Sequence, residues 1–144
     1  MTDLVYVLNG PNLNLLGMRE PEIYGSDTLD DIAGMLEDRA RELGLEVDVR
    51  QSNHEGHLID WLHEAQVEGA RAVLLNAGAY THTSIALLDA IKAITVPVIE
   101  VHLSDPMTRE PFRQVSYVGM AAAAEVKGLG SRGYVVALEK AAAL

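Results

Sequence analysis

Apolar runs and helix-period stretches alternate along the whole of this 144-residue chain, and that alternation narrows the possible folds more than any other feature. Leu4 to Leu8 reads as a buried strand. Leu29, Ile32, Ala33, Leu36, Ala40 and Leu43 then recur at helical spacing, between a cap region at Ser26 to Thr28 and a stop at Gly44. Leu45, Val47 and Val49 alternate with polar residues as a second strand, and Leu58, Ile59, Leu62 and Ala65 mark a second helix ending near Gly69. Ala72 to Leu75 is a third strand, Ser84 to Ala93 a third helix, and Val96 to Leu103 a fourth strand with Pro97 at its start. A short helical piece near Phe112 to Tyr117, a polar fifth strand at Val126 flanked by Glu125 and Lys127, and a last helix from about Ser131 complete the order.

Five strand-helix repeats of this kind predict a single α/β domain over residues 1–144: a flavodoxin-like, doubly wound, five-stranded parallel sheet with helices on both faces. The chain holds 11 Lys and Arg against 21 Asp and Glu, a net charge of -10, which argues against nucleic acid or an anionic membrane as partner. A small anionic ligand would need a local positive pocket. The absence of Cys excludes disulfides, thiolate zinc sites and a Cys nucleophile. No signal peptide is visible and no apolar run approaches the roughly 20 residues that cross a bilayer, so the expected location is cytoplasmic.

In sheets of this class ligands bind outside the carboxyl ends of the strands. Those ends fall at Asn9, Gln51 to His54, Asn76 to His82, and Glu100 to Ser104, and each delivers Asn, His, Glu or Ser to one rim. The opposite rim receives Gly44, Gly69 and Arg71. The first strand also opens into a long loop, LNGPNLNLLGMREPEIYG from Leu8 to Gly25. The 19 positions after the strand hold three Gly and two Pro, so no helix is expected before about Thr28. A loop that long is usually functional or disordered, and disordered linkers rarely mix Leu13, Leu15, Leu16, Ile23 and Tyr24 with Arg and Asn.

Several familiar motifs are absent. HEGH at 54–57 lacks the zincin spacing and reads as a solvated helix start, no Gly-rich phosphate loop follows the first strand, and no GxSxG elbow exists. His102 and Glu100 lie two apart at a strand end and share a face. A carboxylate beside an imidazole orients it and favours its protonated form, the usual preparation of a general acid. Arg109 and Arg113, four apart, would share a helix face only if Pro111 allowed a helix there, and either could hold an anion or simply lie at the surface. Asn9 or Asn12, Asn76, His82, His102, Ser104 and Arg113 at one rim, with Arg19 and Tyr24 on the loop above, read as an active site.

LNGPNLNLLGMREPEIYG, QSNHEGHLIDWLHEA, LNAGAYTHTSIALLDAI, IEVHLSDPMTREPFRQVSYV and GLGSRGY resemble, in order and spacing, the type II 3-dehydroquinate dehydratases over about Val5 to Leu138. That resemblance implies anti elimination of water from 3-dehydroquinate to 3-dehydroshikimate through an enolate, with no metal and no cofactor. Tyr24 matches the base and Arg19 a lid arginine that activates it. A phenol is almost wholly protonated at neutral pH, so such a base needs a cation beside it. By the same matching Asn12 would hold the water at the enolate oxygen, His102 would protonate the departing hydroxyl and Glu100 would orient His102. Asn76, the backbone of Leu103, and Ser104 would take the substrate carboxylate, while His82 and Arg113 would hold ring hydroxyls. Asp89 would reach the site of a neighbouring subunit in a homo-oligomer, typically a dodecamer of four trimers. The alternative from the fold alone is a flavodoxin-like small-anion or flavin-binding module without lyase activity.

Five positions depart from the family pattern. Leu88 replaces a common Arg, Asp105 a common Asn, and Pro111 a usual Glu, while Glu125 and Lys127 stand where the fifth strand is usually apolar. They bear on subunit contacts around Leu88 and Asp89 and on the fifth strand rather than on the chemistry.

Overall fold

A computed structural model of the chain describes residues 3–18 and 20–144. The strands are β1 (Asp3–Asn9), β2 (Leu45–Gln51), β3 (Ala72–Asn76), β4 (Val98–Val101) and β5 (Ala124–Val126). They form one parallel sheet in the order β2-β1-β3-β4-β5. The helices are α1 (Pro21–Tyr24), α2 (Leu29–Leu43), α3 (Glu55–Val67), α4 (Ile85–Ala93) and α5 (Arg132–Ala142).

Side chains alternate across the sheet and so build two cores. Val5, Val7, Leu74, Ile99 and Val101 pack on one face against Ile32 and Leu36 of α2 and Leu138 of α5. Tyr6, Leu8, Val73, Leu75 and Val98 pack on the other against Leu58 and Leu62 of α3 and Leu87 of α4. Because β1 and β3 are covered on both faces, they carry unbroken apolar runs, as buried parallel strands do. The helices begin and end where their caps dictate. Thr28 and Asp31 form a reciprocal capping box on α2, which closes at Gly44 with φ 72°, and the Ser84 hydroxyl accepts from Leu87 N at the start of α4.

Three expectations are corrected. The loop after β1 is not free of helix before Thr28: Leu13–Leu15 form a 3₁₀ turn and Pro21–Tyr24 the single turn α1. Pro21 sits where a helix needs no N–H donor, and Gly25 at φ 85° ends the turn, so residues that break a long helix here frame a short one. The fourth strand is shorter than Val96 to Leu103: it starts after Pro97, which has no N–H for the ladder, and it ends at Val101. Instead of a helical piece over Phe112 to Tyr117 there are two separate 3₁₀ turns, Pro106–Thr108 and Pro111–Arg113. Arg109 and Arg113 therefore share no helix face.

The polar residues do gather at the carboxyl rim. Gly10 brings the β1 and β3 exits together: its N–H donates to Asn76 O at 2.8 Å, and a Cβ there would lie 2.4 Å from the Ala77 carbonyl oxygen. Among the described residues, no helix is long and apolar enough to cross a membrane.

Candidate active site

A cavity of about 240 Å³ opens at the carboxyl rim between the β1 and β4 exits. Asn12, Tyr24, Asn76 and His82 line it, as do His102, Leu103, Ser104 and Arg113, so eight residues expected from sequence converge on one space. Glu100 lies beneath His102 rather than on the wall. Asp89 is exposed on α4 and is not among the residues lining its own chain's cavity. Arg19 lies outside the described residues.

Tyr24 enters from α1 and is half-buried. Its hydroxyl accepts a hydrogen bond of 2.8 Å from Arg109 Nη1, and the Arg109 guanidinium carbon stands 5.2 Å from the ring centre. The sequence offers Arg109 only as an anion contact or a surface residue, and the structure gives it the phenol instead. Both Arg109 and Arg113 also face Glu110, at 3.7 and 3.2 Å. Two guanidiniums on one wall supply the local positive pocket that a chain of net charge -10 needs for an anionic ligand.

His102 continues from β4, its N–H still donating to Val126 O, and it is buried. Its Nε2 pairs with Glu100 Oε2 at 2.5 Å. Burial by itself would raise the Glu100 carboxyl, but hydrogen bonds from His102 and the Ser116 hydroxyl outweigh it and hold the group below its ordinary value. A carboxylate on Nε2 fixes the ring and leaves Nδ1 for proton exchange. The His82 ring lies nearly parallel, 6.5 Å from that of His102. Burial pulls the His82 imidazole below its ordinary value despite its hydrogen bond to the Val115 carbonyl, which favours a neutral ring.

Asn12 occupies the left-handed region at φ 70°, and its N–H donates to Asn53 Oδ1 at 3.0 Å. Gln51 Nε2 in turn donates to Asn53 Oδ1 and to Gly10 O, so the end of β2 fixes the loop after β1. Asn76 is set by a buried chain: its Nδ2 donates to Tyr134 Oη at 2.9 Å, and Tyr134 Oη donates to Asn9 Oδ1 at 2.6 Å. Burial raises the Tyr134 hydroxyl, so it stays neutral and can do both. Leu103 O and Ser104 O accept from Gly130 N and Gly128 N, which fixes the β4 exit against the loop before α5. Sequence reading does not single out Gln51, Asn53, Ser116 or Tyr134 for a role; only their positions at strand ends or in quoted motifs mark them.

The family model for class II dehydroquinases matches residues 3–142. The chain belongs to the class II dehydroquinase family. A 3-dehydroquinate dehydratase of Phenylobacterium zucineum is 56% identical over 144 residues, covering 100% of this chain and 99% of that one. The crystal structure of a type II dehydroquinase from Propionibacterium acnes superposes with a TM-score of 0.95 at 43% identity, covering 100% of this chain and 99% of the other. A type II dehydroquinase from Butyrivibrio crossotus gives the same TM-score of 0.95 at 38% identity and 97% coverage of each chain.

Within this class II dehydroquinase, Lys127 bridges Glu125 and Asp105, three of the positions expected to depart from the family pattern. Lys127 pairs with Glu125 at 3.3 Å and with Asp105 at 3.9 Å. Asp105 also caps the Pro106–Thr108 turn through Met107 N, and Pro111 begins the following turn. One cation is thus shared by two carboxylates at the edge strand, and none of the three lines the cavity. Leu88 is half-buried on α4, and nothing in the single chain explains it.

Proposed function

We propose that this chain eliminates water from 3-dehydroquinate in the anti sense, with Tyr24 as base and His102 as acid. By its family the chain is a hydro-lyase, a 3-dehydroquinate dehydratase. The observation that carries the finer reading is the pairing of two proton-transfer groups on one cavity, Tyr24 with Arg109 and His102 with Glu100. Tyr24 comes from α1 and His102 from the end of β4, and in this reading they act on opposite faces of the ring, as an anti elimination requires.

Tyr24 removes the proton next to the ketone, and the electron pair moves onto the carbonyl oxygen as an enolate. Arg109, and Arg19 by family resemblance, stabilise the phenolate as it forms. Asn12 holds a water at the enolate oxygen, an oxyanion role. As the enolate collapses the C–O bond breaks, and His102 gives its proton to the departing hydroxyl, releasing water and a conjugated enone. Asn76, the Leu103 backbone and Ser104 take the substrate carboxylate, while His82 and Arg113 hold ring hydroxyls.

No step calls for a metal or cofactor, so a chelator is expected to leave turnover unchanged. Asp89, exposed on α4, is assigned to a neighbouring subunit's site in a homo-oligomer, a dodecamer of four trimers, acting in the cytoplasm. Exposed Ile85, Phe112 and Met120 supply apolar surface for such contacts. The deciding experiment is the rise in ultraviolet absorbance of the enone on adding 3-dehydroquinate, for wild type and Tyr24→Phe. Equal rates for the two would refute the base assignment.

A further inference from the structure

Behind His102 the hydrogen bonds continue past Glu100 to the turn that follows Arg113. The Ser116 hydroxyl donates to Glu100 Oε2 at 2.5 Å, and the same Oγ accepts from the Gly119 N–H at 2.8 Å. A hydroxyl has one proton. With Gly119 on a lone pair of Oγ, that proton is directed at the carboxylate. The oxygen that receives it is the one bound to His102 Nε2, also at 2.5 Å.

We propose that Ser116 is a positioning residue for His102, acting through Glu100: the Gly119 amide aims the hydroxyl, the hydroxyl holds the carboxylate, and the carboxylate holds the ring. This rests on the reading of His102 as the acid.

Two further observations support it. Glu100 is 1% exposed, yet its Oε1 has no hydrogen-bond partner among the described residues, so the ion depends on its donors at Oε2. A buried charge with one bare oxygen is sensitive to the loss of either donor. A Cβ on Gly119 would also lie 2.8 Å from Glu100 Oε1 and 3.0 Å from Ser116 Oγ. The carboxylate therefore rests directly on the glycine backbone, where a side chain would push it out of line with His102. The charged or titratable groups facing this pair are His82 on the Gly78–His82 turn, Arg113 on the Pro111–Arg113 turn, and Glu125 across the strand pairing. Ser116→Ala leaves all of them in place.

The test is steady-state kinetics across pH on Ser116→Ala, Ser116→Thr and His102→Ala, alone and combined. Ser116→Ala is expected to lower kcat about tenfold with KM changed less than about twofold, and to move the acid limb of kcat to higher pH by about one unit. Ser116→Thr, which keeps the hydroxyl, restores most of kcat. In a His102→Ala background Ser116→Ala costs nothing further, because the path it acts through is gone. Apart from turnover, the Glu100 carboxyl followed by carbon NMR titrates at higher pH in Ser116→Ala. If circular dichroism shows Ser116→Ala misfolded, Ser116→Cys replaces it with the same expectations. Unchanged kcat, acid limb and Glu100 titration in Ser116→Ala, with His102→Ala inactive, overturn the proposal alone. Undiminished turnover in His102→Ala overturns it together with the acid assignment.

Discussion

Arg109 donates a 2.8 Å hydrogen bond to the hydroxyl of Tyr24, across 85 residues of sequence and between two single helical turns. Removing the phenolic hydroxyl, in Tyr24→Phe, is expected to cost about 10²–10⁴ in kcat with folding intact. Arg109→Ala should cost less, about 10–100-fold, and Arg109→Lys should recover only part of it, since an ammonium lacks the flat guanidinium fork. The enone absorbance assay measures all three, and a Tyr24→Phe enzyme at wild-type speed would remove the basis for the pair.

Asn12 is held in a left-handed conformation by Asn53. Asn53→Ala frees that backbone while leaving the Asn12 side chain present. The expected result is a loss of about 1 kcal/mol in stability, read from urea unfolding, together with a larger fall in kcat than in substrate affinity.

Gly10→Ala places a methyl 2.4 Å from the Ala77 carbonyl oxygen, which has no freedom to retreat. Destabilisation of about 1–3 kcal/mol is expected, as for other overpacked sites. Thermal unfolding tests it, and an unchanged midpoint would show that the β1 and β3 exits part without cost.

Glu100 carries a pH prediction whose sign follows from its lowered carboxyl. A group depressed by folding contributes stability that is present above its unfolded value, about 4.3, and is lost as pH falls through the lower folded value. Stability measured by denaturant between pH 7 and pH 3 should therefore fall less steeply with acid in Glu100→Gln than in wild type. An identical slope in both would mean that the carboxyl titrates normally.

Subunit mixing tests the role of Asp89. Tyr24→Phe and Asp89→Ala chains, each weakly active alone, should regain activity when dissociated and reassembled together. Sites that combine an intact Tyr24 from one chain with an intact Asp89 from another then exist. No recovery would confine Asp89 to its own chain.

The α2 limits are readable because Thr28, Asp31 and Gly44 are local signals that no tertiary contact overrides. Asn76, His102 and Ser104 are readable in the same way, since the ends of β3 and β4 carry them to one rim, whereas Asn12, Tyr24, His82 and Arg113 reach the cavity from loops and short turns. What escapes is set at long range or by paired breakers. Pro21 and Gly25 taken singly signal a loop, yet their spacing of one helical turn produces α1. Arg109 cannot be told from Arg113 in the sequence, because only the folded path between Pro106 and Pro111 brings it to Tyr24. Ser116 is an ordinary serine until β4 places Glu100 beside it, and Tyr134 reaches Asn9 across 125 residues.

That last contact orders events during synthesis. Every residue lining the cavity has left the ribosome once Arg113, the last of them, is clear, whereas the hydroxyl that holds Asn76 belongs to α5. A nascent chain with the final helix still inside the exit tunnel has all of its cavity-lining side chains but not the anchor between Asn9 and Asn76. Competence to bind is therefore expected to arise only once α5 has emerged and docked, and a chain ending just before Arg132 should be inert despite retaining its proton-transfer groups.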